Sequence, residues 1–172
     1  MKCLSACAVV LAIASWGCSN KTPTSPDALK PMFTATLSPA NEVPPVTNAE
    51  SAASGSVTIT LNTTKDAAGN VTSATATFDV KLAGFPAGSA VNIAHIHEGG
   101  PTCACPVVVN TTLAAGQVTF ANGAASFIRE GIAVNPPEVA QRLLNNPAGF
   151  YFNVHTALNG GGAVRGTLTR TQ

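Results

Sequence analysis

The strongest constraint in this chain is a pair of long alternating runs joined by a short turn. Gly55–Thr64 sets Val57, Ile59 and Leu61 on one side and Thr58, Thr60 and Asn62 on the other. Val71–Leu82 repeats the pattern with Ala74, Ala76, Phe78, Val80 and Leu82. Between them Asp66-Ala67-Ala68-Gly69-Asn70 has the composition of a turn. Successive side chains of a strand point to opposite faces, so a period of two makes one apolar and one Thr-rich face. Two such runs across a Gly/Asn turn predict a β-hairpin, and its apolar face must be covered by a second layer.

Further strands are predicted at Met32–Ser38, Val91–His97, Val107–Leu113, Gln117–Phe120, Ala124–Ile128, Gly149–Ala157 and Ala163–Arg170. Gly84–Gly88 breaks the chain after the hairpin. One helix is predicted after Asn135, with Asn135 as cap, Pro136 in the first position and Glu138 three residues after the cap. Val139, Ala140, Leu143 and Leu144 would share its buried face, and Asn145-Asn146-Pro147 would end it. Eight or nine short strands predict an all-β fold, an antiparallel β-sandwich of Ig-like or Greek-key type, with one short helix between late strands. No repeat of 20–50 residues is visible.

The ends of the chain read differently from its middle. Residues 1–17 carry Lys2 and then the short apolar run Ala8–Ala14, below the ~20 residues that span a bilayer, and read as an export signal. Ser15-Trp16-Gly17-Cys18 resembles the lipobox of bacterial lipoproteins, which makes Cys18 the expected lipidation site. Trp16 departs from that pattern; Leu4-Ser5-Ala6-Cys7 fits it better but leaves no room for an apolar run. An ordinary secretory signal with a free Cys18 is the alternative, and both readings export the protein. Residues 18–31 are polar and Pro-rich and read as a tether, so the folded domain is expected at 32–172. The resulting location is the bacterial cell envelope, lipid-anchored (outer membrane if Gram-negative) or secreted, with the membrane as a partner through the lipid.

Charge excludes several functions. There are 9 Lys+Arg and 8 Asp+Glu, and removing residues 1–17 takes Lys2 away, leaving 8 against 8. A neutral domain has no basic face for a nucleic-acid backbone. With 45% apolar residues it is no charge-rich disordered chain either.

Polar residues inside the strands are therefore conspicuous. All three histidines fall in two strands: Ala94-His95-Ile96-His97-Glu98 and Asn153-Val154-His155-Thr156. His95 and His97 share a face, with Val91 and Ile93 expected on it too, and His155 shares one with Tyr151 and Asn153. If these strands meet, three imidazoles converge into a site for copper or zinc, both of which imidazole suits. The alternative is that they only hydrogen-bond within the sandwich. Ring nitrogens about 3–4 Å apart would mark a site, since Zn–N bonds are ~2.0–2.1 Å.

Cys103-Ala104-Cys105 lies in the loop after the H-x-H strand. In an exported protein it could pair as a small-ring disulfide, supply metal thiolates beside the histidines, or bridge two molecules. Arg165, a lone cation in an apolar strand, is expected to hold a carboxylate such as Glu42 or Glu98, or an anion; Glu98 itself reads as a solvated strand-end charge. There is no G-x-S-x-G, H-E-x-x-H, P-loop or dinucleotide-binding motif, so a non-enzymatic protein is the expectation.

Four blocks in order then carry a resemblance: Leu37–Val46 (LSPANEVPPV), Ala94–Gly99 (AHIHEG), Tyr151–Thr156 (YFNVHT) and Gly162–Leu168 (GAVRGTL). This combination resembles the CHRD domain, the module named after chordin and widespread in bacterial exported proteins, over about residues 32–171. Two departures are the Cys103/Cys105 loop, where the family more often has a Gly/Pro-rich loop, and Gly162-Ala163, where an acidic residue commonly stands. The resemblance implies a β-sandwich. The role of chordin as an extracellular binder of growth factors does not transfer with the fold. The H-x-H strand, later His and Arg also look loosely like copper/zinc superoxide dismutase, but three histidines are too few for both metals of that enzyme. The expectation is an envelope-anchored binding module for an envelope or extracellular protein or polymer; the alternative is a copper- or zinc-binding or redox protein using the three histidines.

Overall fold

The computed structural model describes residues 30–172; the signal, Cys18 and most of the tether lie outside the described residues. Ten strands follow in order: β1 Met32–Leu37, β2 Ser54–Lys65, β3 Val71–Ala83, β4 Ala90–Glu98, β5 Val107–Asn110, β6 Val118–Thr119, β7 Ala125–Ala133, β8 Phe150–Thr156, β9 Val164–Thr167 and β10 Thr169–Arg170. One helix, α1 Glu138–Asn145, lies between β7 and β8. The strands form two antiparallel sheets. The first runs β10-β1-β2-β3-β7; the second runs β5-β4-β8-β9, with β6 also on β4. The architecture is the expected all-β sandwich.

The β2–β3 hairpin forms as the alternation requires. Val57 faces Val80, Ile59 faces Phe78 and Leu61 faces Ala76, and all six are buried. Asp66 closes the turn: its Oδ1 accepts from the backbone N–H groups of Ala68 and Asn70, each at 2.9 Å. The apolar face of this hairpin packs on Ala94, Ile96, Phe152 and Val154 of the second sheet within one core. The rings of Phe78 and Phe152 lie 5.8 Å apart. Burying a side chain of that size stabilises the fold by ~1.5–3 kcal/mol.

The helix differs from expectation at its start. Pro137 occupies the cap position, without a side-chain cap, so α1 begins at Glu138 rather than directly after Asn135. Val139, Ala140 and Leu143 are buried as predicted.

The second sheet departs from simple alternation, and this creates the site. Every residue of β8 is buried, so both of its faces are covered. One face meets the first sheet. The other lies under three loops that return across it: residues 39–48, 99–106 and 157–162.

Candidate metal centre

Strand geometry sorts the residues. Ala94, Ile96, Phe150, Phe152 and Val154 belong to the core. The alternating His95, His97, Tyr151, Asn153 and His155 therefore emerge on the opposite face. The β4–β8 register sets His97 opposite Tyr151, His95 opposite Asn153 and Ile93 opposite His155. Arg165 of β9 stands opposite Asn153 on the other side. Val91 does not join this face. A bulge between Val91 and Ile93 returns it to the core, correcting the uninterrupted alternation expected from sequence.

The three histidines meet. Nε2 of His155 lies 2.7 Å from Nε2 of His95. One ligating nitrogen from each of the three falls within 4.8 Å of the others. All three are buried, His97 retaining the most exposure at 8%.

Backbone carbonyls set the tautomers. A carbonyl only accepts, so His155 donates Nδ1–H to the oxygen of Gly160 at 3.0 Å. His97 likewise donates Nδ1–H to the oxygen of Cys105 at 2.6 Å. Both rings therefore present Nε2 as a bare lone pair, and His95 donates its Nε2–H to His155. Nδ1 of His95, Nε2 of His97 and Oδ1 of Asn153 are buried without a hydrogen-bond partner. Three such atoms in one cluster are costly, since an unsatisfied buried polar group costs ~1–3 kcal/mol.

Electrostatics keep the rings neutral. Burial, reinforced by the neighbouring imidazoles of His155 and His97, pushes His95 down to about 3. Burial also lowers His97 and His155, against a smaller upward pull from their carbonyl partners. A neutral imidazole is the form that ligates a metal.

A second set of residues holds this face together. Tyr151 stacks on His97 with ring centroids 4.6 Å apart and planes 8° from parallel. The Arg165 guanidinium lies 4.7 Å from the centre of the same Tyr151 ring. Arg165, 3% exposed, donates to three backbone carbonyls: Nε to Asn41 at 2.5 Å, Nη1 to Cys103 at 2.8 Å and Nη2 to Pro101 at 2.5 Å. It ties the 39–48 and 99–106 loops to β9.

Of the two expected carboxylate partners, Glu42 is close, with Oε2 3.9 Å from Arg165 Nε. Glu98 is not. It is the last residue of β4, adjacent in sequence to His97, and forms a two-pronged pair with Arg142 of α1 at 2.7 and 2.8 Å. Burial raises Glu42 to about 7 even though Arg165 and Asn153 pull it the other way. Gly162, at φ +137°, makes room for it. A β-carbon there would run into the Glu42 carboxylate and the Asn153 amide, so at this position Glu42 fills the space that a larger residue would need.

Of the three arrangements open to Cys103 and Cys105, the intrachain disulfide forms, with Cα atoms 5.3 Å apart. Thiolate ligation beside the histidines is thereby replaced by a main-chain role. The Cys105 carbonyl receives His97, its N–H donates to the Tyr151 hydroxyl at 3.1 Å, and that hydroxyl donates to Cys103 O at 3.2 Å. Sequence reasoning missed the carbonyls of Cys105, Gly160, Asn41 and Pro101, because backbone acceptors carry no residue signature. The run of β8 alternates Phe150, Phe152 and Val154 with Tyr151, Asn153 and His155, so nothing in its local pattern signals that the second face is covered as well.

A cleft of about 490 Å³ opens beside the cluster, with Arg165, Tyr151, Glu42, Val43 and Pro101 among its walls. A family model for the CHRD domain matches residues 33–168. This chain belongs to the CHRD-domain family. No curated protein and no solved structure matches it. The family points to an extracellular binding or interaction module, and in this CHRD domain the most distinctive arrangement of buried polar groups is the three-histidine cluster.

Proposed function

We propose that this CHRD domain is an exported, non-enzymatic binding module whose ligand is a transition-metal ion, copper or zinc, held by His95, His97 and His155 and presented at the cell envelope on a lipid anchor at Cys18. The observation that carries this reading is the convergence of three neutral imidazoles with unpartnered or mutually paired ring nitrogens. Ligand nitrogens around a tetrahedral ion with ~2.0–2.1 Å bonds stand ~3.3 Å apart. His95 and His155 are 2.7 Å apart, so a parting of about half an ångström admits the ion between them. The ion takes the place of the His95–His155 hydrogen bond. His95 then carries its proton on Nδ1, and the residue opposite it in register is Asn153, whose Oδ1 is itself unpartnered. Two orphan atoms thereby acquire a reason. His155 and His97 are aimed by carbonyls in the manner of metal-ligating histidines generally.

Metal analysis of the purified protein after exposure to each ion should give one equivalent of copper or zinc. The His95→Ala/His97→Ala double variant should give none. A wild-type protein that takes up neither ion removes the reading. A test of the anchor is separate: Cys18→Ser should yield soluble protein, and a wild type already soluble and lipid-free after processing would exclude lipidation.

The cleft beside Arg165 supports a second reading, contact with an envelope protein or extracellular polymer. Its rim carries Val43, 45% exposed among prolines, an apolar element suited to such contact. Pull-down by a Val43→Asp variant should fall relative to wild type; equal recovery of the same partner would rule out that rim.

A further inference from the structure

Resting on the metal reading above, we infer that the Cys103–Cys105 disulfide is a redox modification site whose state sets the metal affinity of the three-histidine centre. The coupling is main-chain and short. Cys105 supplies the carbonyl that fixes the tautomer and tilt of His97, at 2.6 Å. The same residue's N–H and the carbonyl of Cys103 hold the Tyr151 hydroxyl, and Tyr151 is the ring stacked on His97. Cys103 O also receives Arg165, which presses on the far side of Tyr151. One three-residue segment thus orients a ligand, the ring behind that ligand and the cation behind that ring.

The sulfurs pin the segment in place. Both pack against Gly99, two residues after His97, where a β-carbon would collide with Cys103 Sγ and Cys105 Sγ. The bond locks the carbonyl directions of Cys103 and Cys105 relative to each other and to the end of β4. Without it the segment has ordinary loop freedom, and the His97 acceptor is held only by weaker contacts. Both cysteines are partly exposed, while the histidines they serve are buried. A reductant can therefore reach the latch without entering the site.

The reaction is ordinary thiol–disulfide exchange with a dithiol. A thiolate of the dithiol attacks one cysteine sulfur, the Sγ–Sγ bond breaks, and the other cysteine leaves as a thiolate that takes up a proton. The second thiol of the reductant then displaces the first cysteine. Two electrons and two protons pass to Cys103 and Cys105, and the dithiol departs as its own disulfide. The oxidised domain is the tight binder, and reduction loosens the ion.

Zinc, which is redox-silent, is the suitable probe, titrated into the full-length protein against a chromophoric chelator. Loss of a partner that orients a ligating histidine typically costs 10–100-fold in metal affinity, and the Cys103→Ser/Cys105→Ser variant should weaken zinc binding by about that factor relative to oxidised wild type. The exchange-protected Nδ1–H resonance of His97 should disappear in the same variant. Should the double variant not fold, the Cys103→Ala/Cys105→Ala variant opens the same bond, likewise leaves no free thiol to ligate zinc, and gives the same comparison. Zinc affinity within twofold of oxidised wild type, in a variant with a native circular dichroism spectrum, would overturn the latch and leave the metal site standing. Failure of oxidised wild type to bind zinc or copper would overturn both.

Discussion

Replacing Arg165 with methionine should cost this domain about 3 kcal/mol. The side chain is 3% exposed and makes three hydrogen bonds at 2.5–2.8 Å to carbonyls of two loops. Hydrogen bonds to a charged group contribute ~1.5–3 kcal/mol each, and the guanidinium–Tyr151 contact adds ~0.5–2 kcal/mol. Full loss would exceed 5 kcal/mol, but two terms reduce it. The carbonyls belong to surface loops and regain water once the guanidinium is gone. Glu42 is not left as a bare buried charge, because it sits near a pKa of about 7 and takes up a proton when the cation leaves. Methionine also returns some apolar burial. Arg165→Lys should recover less than half of the deficit, since one ammonium cannot reach three carbonyls in the directions a guanidinium does. Equilibrium urea unfolding of the metal-free protein at pH 7 measures both variants. A methionine variant destabilised by less than ~1 kcal/mol, or a lysine variant as stable as wild type, would refute the idea that Arg165 clamps these loops.

The buried His95 and Glu42 push the pH dependence of stability in opposite directions. His95, neutral in the fold down to about 3, must be protonated on unfolding below its ordinary 6.5, so its contribution is lost as pH falls through that window. Glu42, protonated in the fold up to about 7 but ionised when unfolded above 4.5, contributes stability that is lost as pH rises from 4.5 to 7. Wild type should therefore gain on Glu42→Gln by ~2 kcal/mol between pH 6.5 and pH 5, read from urea midpoints; a pH-independent difference would refute the burial argument. Gly99→Ala should place a methyl against both sulfurs of the disulfide, destabilise by ~1–3 kcal/mol and speed reduction by dithiothreitol, with unchanged reduction kinetics as the contrary result. Glu98→Gln breaks a well-aligned but exposed pair with Arg142 and should cost under ~1 kcal/mol; a larger loss in thermal melts would mean that α1 depends on this pair for docking.

Much of the first sheet was legible in the chain itself. Its hairpin has one covered face, so burial and alternation coincide at Val57, Ile59, Leu61, Phe78 and Val80. The pairing of β4 with β8 was not legible. It joins residues 60 apart across β5, β6, β7 and α1, and no local pattern encodes a partner that distant. The bulge near Val91 was hidden for a related reason, since β-branched residues suit both faces. The helix start was not legible because Pro137, not Asn135, takes the cap position without a side-chain bond, and a cap is decided by backbone geometry, not by residue type alone.

Covalent spacing by itself determined that His95 and His97 share a side, that Tyr151, Asn153 and His155 share another, and that two cysteines one residue apart sit just beyond the first pair. These follow from the two-residue period of a strand, which is local. Only the tertiary structure decided that the two sides are the same face, that loops cover it and exclude water, and that backbone carbonyls aim the imidazoles. Those facts depend on which strands pair and where loops return, and such contacts are selected by the packing of the whole core.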